Sequence, residues 1–268
     1  LKITLNSAFG AMGNQHLRFF DQRIAEAITT SGQLSIKWIE KEINRYLNEL
    51  LKTDKDYVVA VDTDSVYITM NDLVVSVYGD KELDKNKVID FLDKVCSEQM
   101  EKIIDKSYEK LKEYTNAFDQ KMVMKRENLA DKALWTSKKR YIMNVYDSEG
   151  VRYEEPQLKI MGIEAIRSST PAACKQKMKD IFKIIMNGTE EDAINYIDEF
   201  RKEFSELNPE DVFFPRSVRG MTKYHDAAHL YIKGTPIHVK SALLYNKLLK
   251  DHKLTNNYPL IQDGDKIK

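Results

Sequence analysis

Two carboxylates on a two-residue spacing, Asp62 and Asp64, carry the clearest chemical potential in this chain. They stand in Asp62-Thr63-Asp64-Ser65, between the β-rich runs Tyr57 to Val61 and Val66 to Met70. Like charges that close repel. A divalent cation relieves the repulsion, and Mg²⁺ favours carboxylate oxygens, waters and substrate phosphates. Two such ions about 4 Å apart can activate an attacking hydroxyl and stabilise a leaving oxygen in phosphoryl transfer. Asp, Thr and Ser are equally the residues that tight turns favour, so the tetrapeptide alone leaves an ordinary polar turn open.

A second constellation opens the chain. Lys2, Asn6, Phe9 and Gly13 fall at i, i+4, i+7 and i+11, which is one face of a helix. A lysine there suits a phosphate, and a ring beside glycine can press on a base pair. A helix with a solvated lysine and a core phenylalanine has the same pattern. A third stretch is basic: Lys121, Lys125, Arg126, Lys132, Lys138, Lys139 and Arg140 outnumber Glu127 and Asp131. On a strand, Lys139 and Tyr141 would share one face and Lys138 and Arg140 the other. One pair must then point into whatever covers the sheet.

The elements that position these residues follow from periodicity. Leu1 to Met12 reads as a helix without a capping residue. Asp21 to Leu51 carries Ile24, Ile28, Ile39, Ile43, Tyr46, Leu47 and Leu50 mostly at helical spacing, which predicts a long helix. Residues 57–70 predict an antiparallel hairpin with the carboxylates at its turn. Val88 to Tyr114 is helical again, and Gln120 to Ile163 is strand-like, with a turn at Asp147-Ser148-Glu149-Gly150. Thr170-Pro171 supplies a cap and a first helical residue, ending near Asn187-Gly188. Thr189 starts a helix with acids in its first turn, running to about Leu207. The chain is loop-rich after Pro209, then helical around Ser241 to Lys250. The fold class expected is α+β: a mixed sheet-and-helix unit over about 14–155, then a more helical one. Both ends read as cut, the first inside a helix and the last inside a strand beginning near Lys266.

Composition narrows the classes. With 42% hydrophobic residues, 14 Tyr and 10 Phe, the chain has ample material for a core, which excludes disorder. No run of 18 apolar residues occurs, so no membrane association is expected. Cys96 and Cys174 lie far apart in sequence and read as reduced thiols of a cytoplasmic protein. Lys+Arg and Asp+Glu balance at 42 each, which argues against a uniformly basic coat but leaves room for a local basic groove.

In their order, these stretches resemble family B DNA polymerases, and the T-even-like branch of tailed phages in particular. Lys2-x-x-x-Asn6-Ser7-x-Phe9-Gly10 resembles motif B of the fingers. Tyr57 to Met70 is similar to motif C of the palm. Lys138-Lys139-Arg140-Tyr141 looks like the basic motif that grips primer and template. Glu155-Pro156-x-Leu158-Lys159-Ile160-Met161-Gly162-Ile163-Glu164 looks like the palm-to-thumb segment. The resemblance implies a palm with a mixed or antiparallel sheet and packed helices, then a mostly helical partial thumb. Residues 1–13 would end the fingers, 14–155 form most of the palm and 156–268 part of the thumb.

The resemblance also implies roles. Asp64 would ligate two Mg²⁺ ions and Asp62 assist. Lys2 would contact the incoming dNTP, on a face shared with Asn6, Phe9 and Gly10. Phe9 stands where the family usually has Tyr, which keeps a steric check on the nascent base pair without the hydroxyl. Lys139 would reach minor-groove acceptors, which correct pairs present in similar places. Lys138 and Arg140 would bind backbone, Tyr141 the phosphate near the primer end, and Lys159 also DNA. Glu127 would be an acid near the metals, with Lys125 where phage relatives often carry another acid. The partners implied are primer-template DNA, dNTP, a sliding clamp and an N-terminal part of the polymerase, acting in the host cytoplasm. A motif A aspartate would precede Leu1, so the isolated chain is expected to be inactive. The alternative is a primer-template-binding subunit of a split polymerase without chemistry of its own. A nuclease using the same aspartates fits less well, because it has no incoming nucleotide to screen.

Overall fold

The computed structural model describes residues 2–79 and 84–268, with the side chains of Lys2 and Asn6 outside that description. It is an α+β chain that divides into two compact units. The first comprises residues 1–131 and 145–157, the second 132–144 and 158–268.

The first unit begins with α1 (Lys2–Met12) and α2 (Gln22–Leu51). Asp21 caps α2 by accepting from the Arg23 N–H, and Lys52 ends it in a left-handed conformation. Ile36, Ile39, Ile43 and Leu47 repeat at three and four residues, so one stripe of α2 is buried. Each such side chain contributes about 1.5–3 kcal/mol by leaving water. The hairpin follows as β1 (Val58–Asp62) and β2 (Ser65–Ile68), then α3 (Asn71–Tyr78) and α4 (Lys85–Val95). A π-helical turn, Cys96–Met100, joins α4 to α5 (Glu101–Thr115). The predicted single helix over 88–114 is thus two helices with a widened turn between them. Tyr57, Val58, Leu73, Val95, Met100, Ile104, Tyr108 and Leu111 close the core around the α2 stripe. Trp38 donates from its indole nitrogen to the Ser107 carbonyl at 3.1 Å, tying α2 to α5.

A three-stranded sheet runs in the order β3 (Asn128–Ser137), β4 (Arg140–Ser148), β5 (Val151–Met161). Two-residue connections make the neighbours antiparallel. Pro156, which lacks an N–H, lies on the outer strand β5, where a proline is tolerated. Lys138 and Lys139 are the turn between β3 and β4 and not strand residues, and Lys139 has φ +63°. The facing expected for Lys138 and Lys139 from strand alternation therefore does not apply. The second turn is Glu149-Gly150, with Asp147 still inside β4.

Asp147 is buried and anchors a charge network of the first unit. The Arg126 guanidinium bridges Asp147 and Asp93, and Arg152 joins Asp147 to Asp90, the latter at 2.9 Å. The Gly150 N–H donates to Asp147 Oδ1 at 3.0 Å. Burial alone would raise the Asp147 carboxyl. Hydrogen bonds from Arg126, the Gly150 N–H and Arg152 outweigh it and hold the group below its ordinary 3.8.

In the second unit, Ile142, Ile160, Ile163, Ala165 and Met186 form one core. Ile142 belongs to it, which is why residues 132–144 go with the chain after 157 and not with the unit expected to end at 155. A 3₁₀ turn, Glu164–Ile166, leads to α6 (Ala172–Asn187) and α7 (Glu190–Glu206). Pro171 occupies the α6 N-cap position, one residue later than expected. Thr170 instead donates its hydroxyl to the Glu164 carbonyl at 2.6 Å. Thr189 and Asp192 form a reciprocal capping box at α7. The remainder holds α8 (Pro209–Val212), β6 (Arg216–Ser217), α9 (Met221–Tyr224), β7 (His225–Asp226), β8 (Leu230–Tyr231), α10 (Ile237–Asp251) and β9 (Lys266–Ile267). Val218, Val239, Ala242 and Leu243 form its small core. Among the described residues no helix is long and apolar enough to cross a membrane.

Cys96 and Cys174 are free thiols. Burial pushes Cys96 up to about 11, so little thiolate exists at pH 8. Cys96 is expected to stay unmodified by iodoacetamide at pH 8 in the folded chain and to react on denaturation, as mass spectrometry of tryptic peptides would read.

Candidate active site and nucleic-acid interface

Strands β1 and β2 pair antiparallel with Asp62 opposite Ser65, leaving Thr63-Asp64 as the connection. The apolar flanks fix the hairpin. Tyr57 and Val58 are buried, and Val61, Val66, Ile68 and Met70 pack on the same core. The tip stays in water, with Thr63 and Asp64 exposed. The Asp64 N–H donates to the Asp62 carbonyl at 2.6 Å, a three-residue turn centred on Thr63 at φ +54°. A β-branched residue in that region is a steric outlier. Such strain costs of order 1–3 kcal/mol and gathers at functional sites.

The two carboxylates differ. Asp62 is half-buried, and its Oδ1 accepts from the Thr63 hydroxyl at 3.0 Å, while its carbonyl accepts from Ser65 Oγ at 3.1 Å. Asp64 projects from the tip, and its side chain makes no hydrogen bond or ion pair among the described residues. An unneutralised carboxylate beside a second one, both hard oxygen donors, fits part of a Mg²⁺ site. Among the described residues no three metal-ligating side chains gather, so these two would supply at most part of a ligand set.

Glu127 is reached along the chain from the same core. Met124 packs on the core that holds Val61 and Val66. From Met124 to Asn128 burial alternates, which puts Lys125 and Glu127 on the exposed side. The Glu127 carbonyl accepts from the Glu149 N–H at 2.6 Å. In α1, helical spacing keeps Lys2, Asn6 and Phe9 on one face, although the Lys2 and Asn6 side chains lie outside the described residues. Phe9 is 39% exposed, and a Cβ at Gly10 would meet nothing within 4 Å. At Phe9 and Gly10, among the described residues, that helix is therefore open and not packed in a core.

The remaining expected residues belong to the second unit. Lys138 and Lys139 are exposed at their turn, and Arg140 is half-buried. Tyr141 is buried, its ring 5.8 Å from that of Trp135. That removes Tyr141 from the solvent-facing set and gives it a packing role. Lys159 is half-buried on β5. Two further residues of the segment that resembles the palm-to-thumb motif lie against this turn. Gly162, at φ +67°, abuts the Lys139 carbonyl, and Glu164 pairs with Arg140. The signal for Gly162 was a glycine at a strand end, which marks close backbone approach.

A family model described as DNA polymerase family B matches residues 1–245, and the chain belongs to that family. Among individual relatives, the "DNA-directed DNA polymerase" of Escherichia phage RB69 is 38% identical over a 275-residue alignment, covering 99% of this chain and 30% of the relative. The protein of the same description from Enterobacteria phage T4 is 35% identical over the same shares. A "DNA polymerase beta" of African swine fever virus is 33% identical over 101 residues, 37% of this chain and 8% of that protein. The likeness to the T-even-like phage branch read from the motifs is borne out. The chain spans about 30% of the length of the phage relatives it matches.

Proposed function

We propose that these residues form the end of the fingers (1–13), most of the palm (14–155) and part of the thumb (156–268) of a phage DNA-directed DNA polymerase. The enzyme adds dNTPs to a primer 3′ end during replication in the infected host cell. The observation that carries the reading is the exposed, unpaired Asp64 at a strained hairpin tip, in a chain of this family. When bound, two Mg²⁺ ions supply charge for an attacking 3′ hydroxyl and a departing pyrophosphate. Asp64 would hold the ions with Asp62 assisting, and Glu127 would be an acid near them. Lys2, Asn6, Phe9 and Gly10 line the nucleotide side, while Lys138, Lys139, Arg140 and Lys159 hold primer and template. A sliding clamp is the expected processivity partner.

Mg²⁺ takes near-octahedral oxygen coordination. Asp62 and Asp64 would fill only part of it, and the remaining oxygens would have to come from outside these 268 residues. The 268 residues alone are then inactive. A chimera in which they replace the matching segment of the T4 relative should extend a primer in Mg²⁺, while the isolated chain should not. A primer-template-binding subunit without chemistry is the second reading, favoured by the partial ligand set. It predicts DNA binding indifferent to Mg²⁺ and no extension by the chimera.

Phe9 offers a separate test. Its exposure leaves little core to lose, so Phe9→Ala should keep the chimera folded. The gap should raise misincorporation about tenfold, the scale of discrimination that a pocket's apolar bulk supplies. Phe9→Tyr should be nearly neutral. Single-turnover addition of correct and incorrect dNTP measures both. Unfolding without a selective loss of fidelity would make Phe9 an ordinary core residue.

A further inference from the structure

The turn that carries Lys138 and Lys139 is gripped from one side by residues 162–164. A Cβ built on Gly162 would lie 2.1 Å from the Lys139 carbonyl oxygen and 3.1 Å from Arg140 Cγ. No side chain fits there, because the atom in the way is backbone, which has no rotamer to change. Gly162 also has φ +67°, a conformation L-residues avoid. Next to it, the Glu164 carboxylate pairs with the Arg140 guanidinium and lies 3.5 Å from Arg167 Nη1. The grip is itself anchored. Ile163 and Ala165, on either side of Glu164, are buried in the core that includes Ile142. The Glu164 carbonyl takes the Thr170 hydroxyl at 2.6 Å.

This arrangement costs stability. Lys139 sits at φ +63°, and a side chain there is disfavoured by roughly 1–2 kcal/mol. Among the described residues, Arg140 Nε is buried with no acceptor, and an orphaned donor costs about 1–3 kcal/mol. Nothing apolar is gained at the tip, since Lys138 and Lys139 are both exposed. Strain retained around exposed cations, with no packing in return, indicates that their position is what is being held.

We propose that Gly162 and Glu164 are positioning residues. They clamp the Lys138-Lys139 turn so that its cations meet a nucleic-acid duplex at a fixed depth and angle. The proposal rests on the reading above that this turn contacts primer and template. Gly162 admits the turn's backbone, and Glu164 holds the Arg140 guanidinium at the base of the turn, with the two lysines at its tip.

The test compares Gly162→Ala, Lys139→Ala and the double variant in the chimera. The measurements are affinity for matched primer-template and the ratio of matched to mismatched extension. Both single variants are expected to weaken matched binding and to narrow the ratio, by about tenfold for one lost base-edge contact. The double variant should lose clearly less than the product of the two single effects, because Gly162 acts through the turn that carries Lys139. Generally reduced stability would instead lower both extension rates together and multiply with Lys139→Ala. Glu164→Gln, at a half-buried side chain, carries the same comparison if Gly162→Ala loses its cooperative unfolding transition. Wild-type discrimination in a folded Gly162→Ala, or effects that multiply with Lys139→Ala, would overturn the clamp alone. A Lys139→Ala protein with unchanged binding and discrimination would overturn the primer-template reading of the turn, and the clamp with it.

Discussion

Asp64→Ala in the chimeric polymerase is expected to lower single-turnover primer extension about 10³-fold, the several kcal/mol that a metal-held transition state stands to lose. Affinity for primer-template should stay nearly unchanged, since Asp64 offers oxygens to cations and repels phosphate. The hairpin supports this separation. Its hold on the fold lies in Tyr57, Val58, Val61 and Val66, and the Asp64 side chain packs against none of them. Removing the carboxylate leaves those contacts intact, so the variant should unfold at the wild-type denaturant concentration. Asp62→Ala should cost less in rate. Its carboxylate is half-buried and already accepts from Thr63 Oγ1, so it steadies the turn more than it reaches outward. Rapid-quench extension and equilibrium DNA binding on the same preparations distinguish the cases. Parallel losses of rate and affinity for Asp64→Ala would mean a misfolded tip or the wrong ligand.

The hairpin could be read from sequence because its evidence is local: two apolar runs, a polar tetrapeptide and a length that fits. The α2 stripe and the Thr189 start of α7 were legible for the same reason. Helix α3 was not. Asn71-Asp-Leu-Val-Val-Ser-Val-Tyr78 is rich in β-branched residues, which favour strands. What makes it helical is tertiary: Leu73 is buried, and Asp72 is held by Lys55 at 2.6 Å. The Lys138-Lys139 turn escaped because it contains no glycine, proline or asparagine. Its left-handed residue is a lysine held there by contacts 23 residues downstream in sequence, at Gly162. The carboxylate pair stands out in the sequence, and the resemblance already gives Asp64 and Asp62 different roles; the half-burial of Asp62 is not legible there, since it depends on which side chain the turn folds back on. Asp147 was the largest misreading. Next to Ser148-Glu149-Gly150 it looks like a solvated turn residue, and only the approach of Arg126 and Arg152 makes it the buried centre of a network.

That network yields the second large effect. Asp147→Ala would leave Arg126, whose side chain is 12% exposed, with Asp93 alone, and Arg152 with Asp90 alone. Breaking a buried pair by removing one partner costs about 3–5 kcal/mol, because the remaining charge stays desolvated. Asp93 remains to share the Arg126 charge, so about 3 kcal/mol is expected, read from chemical denaturation. The pH dependence fixes the cause. The folded Asp147 carboxyl lies below 3.8, its ordinary value. Its contribution is therefore fully present above about pH 4 and is lost as pH falls from there through the lowered folded value. Asp72, Asp192 and Asp226 are also held low, so the wild-type acid curve is a composite. The difference between wild type and Asp147→Asn isolates this one group. That difference should be constant from pH 7 to about pH 4 and shrink below it, since a protonated aspartate and an asparagine are alike in charge. Function should follow through Arg126, which lies between Met124 on the hairpin's core and the exposed Glu127. A gap that stayed constant down to pH 2 would mean that the charge of Asp147, and with it the pairing with the two arginines, contributes nothing net.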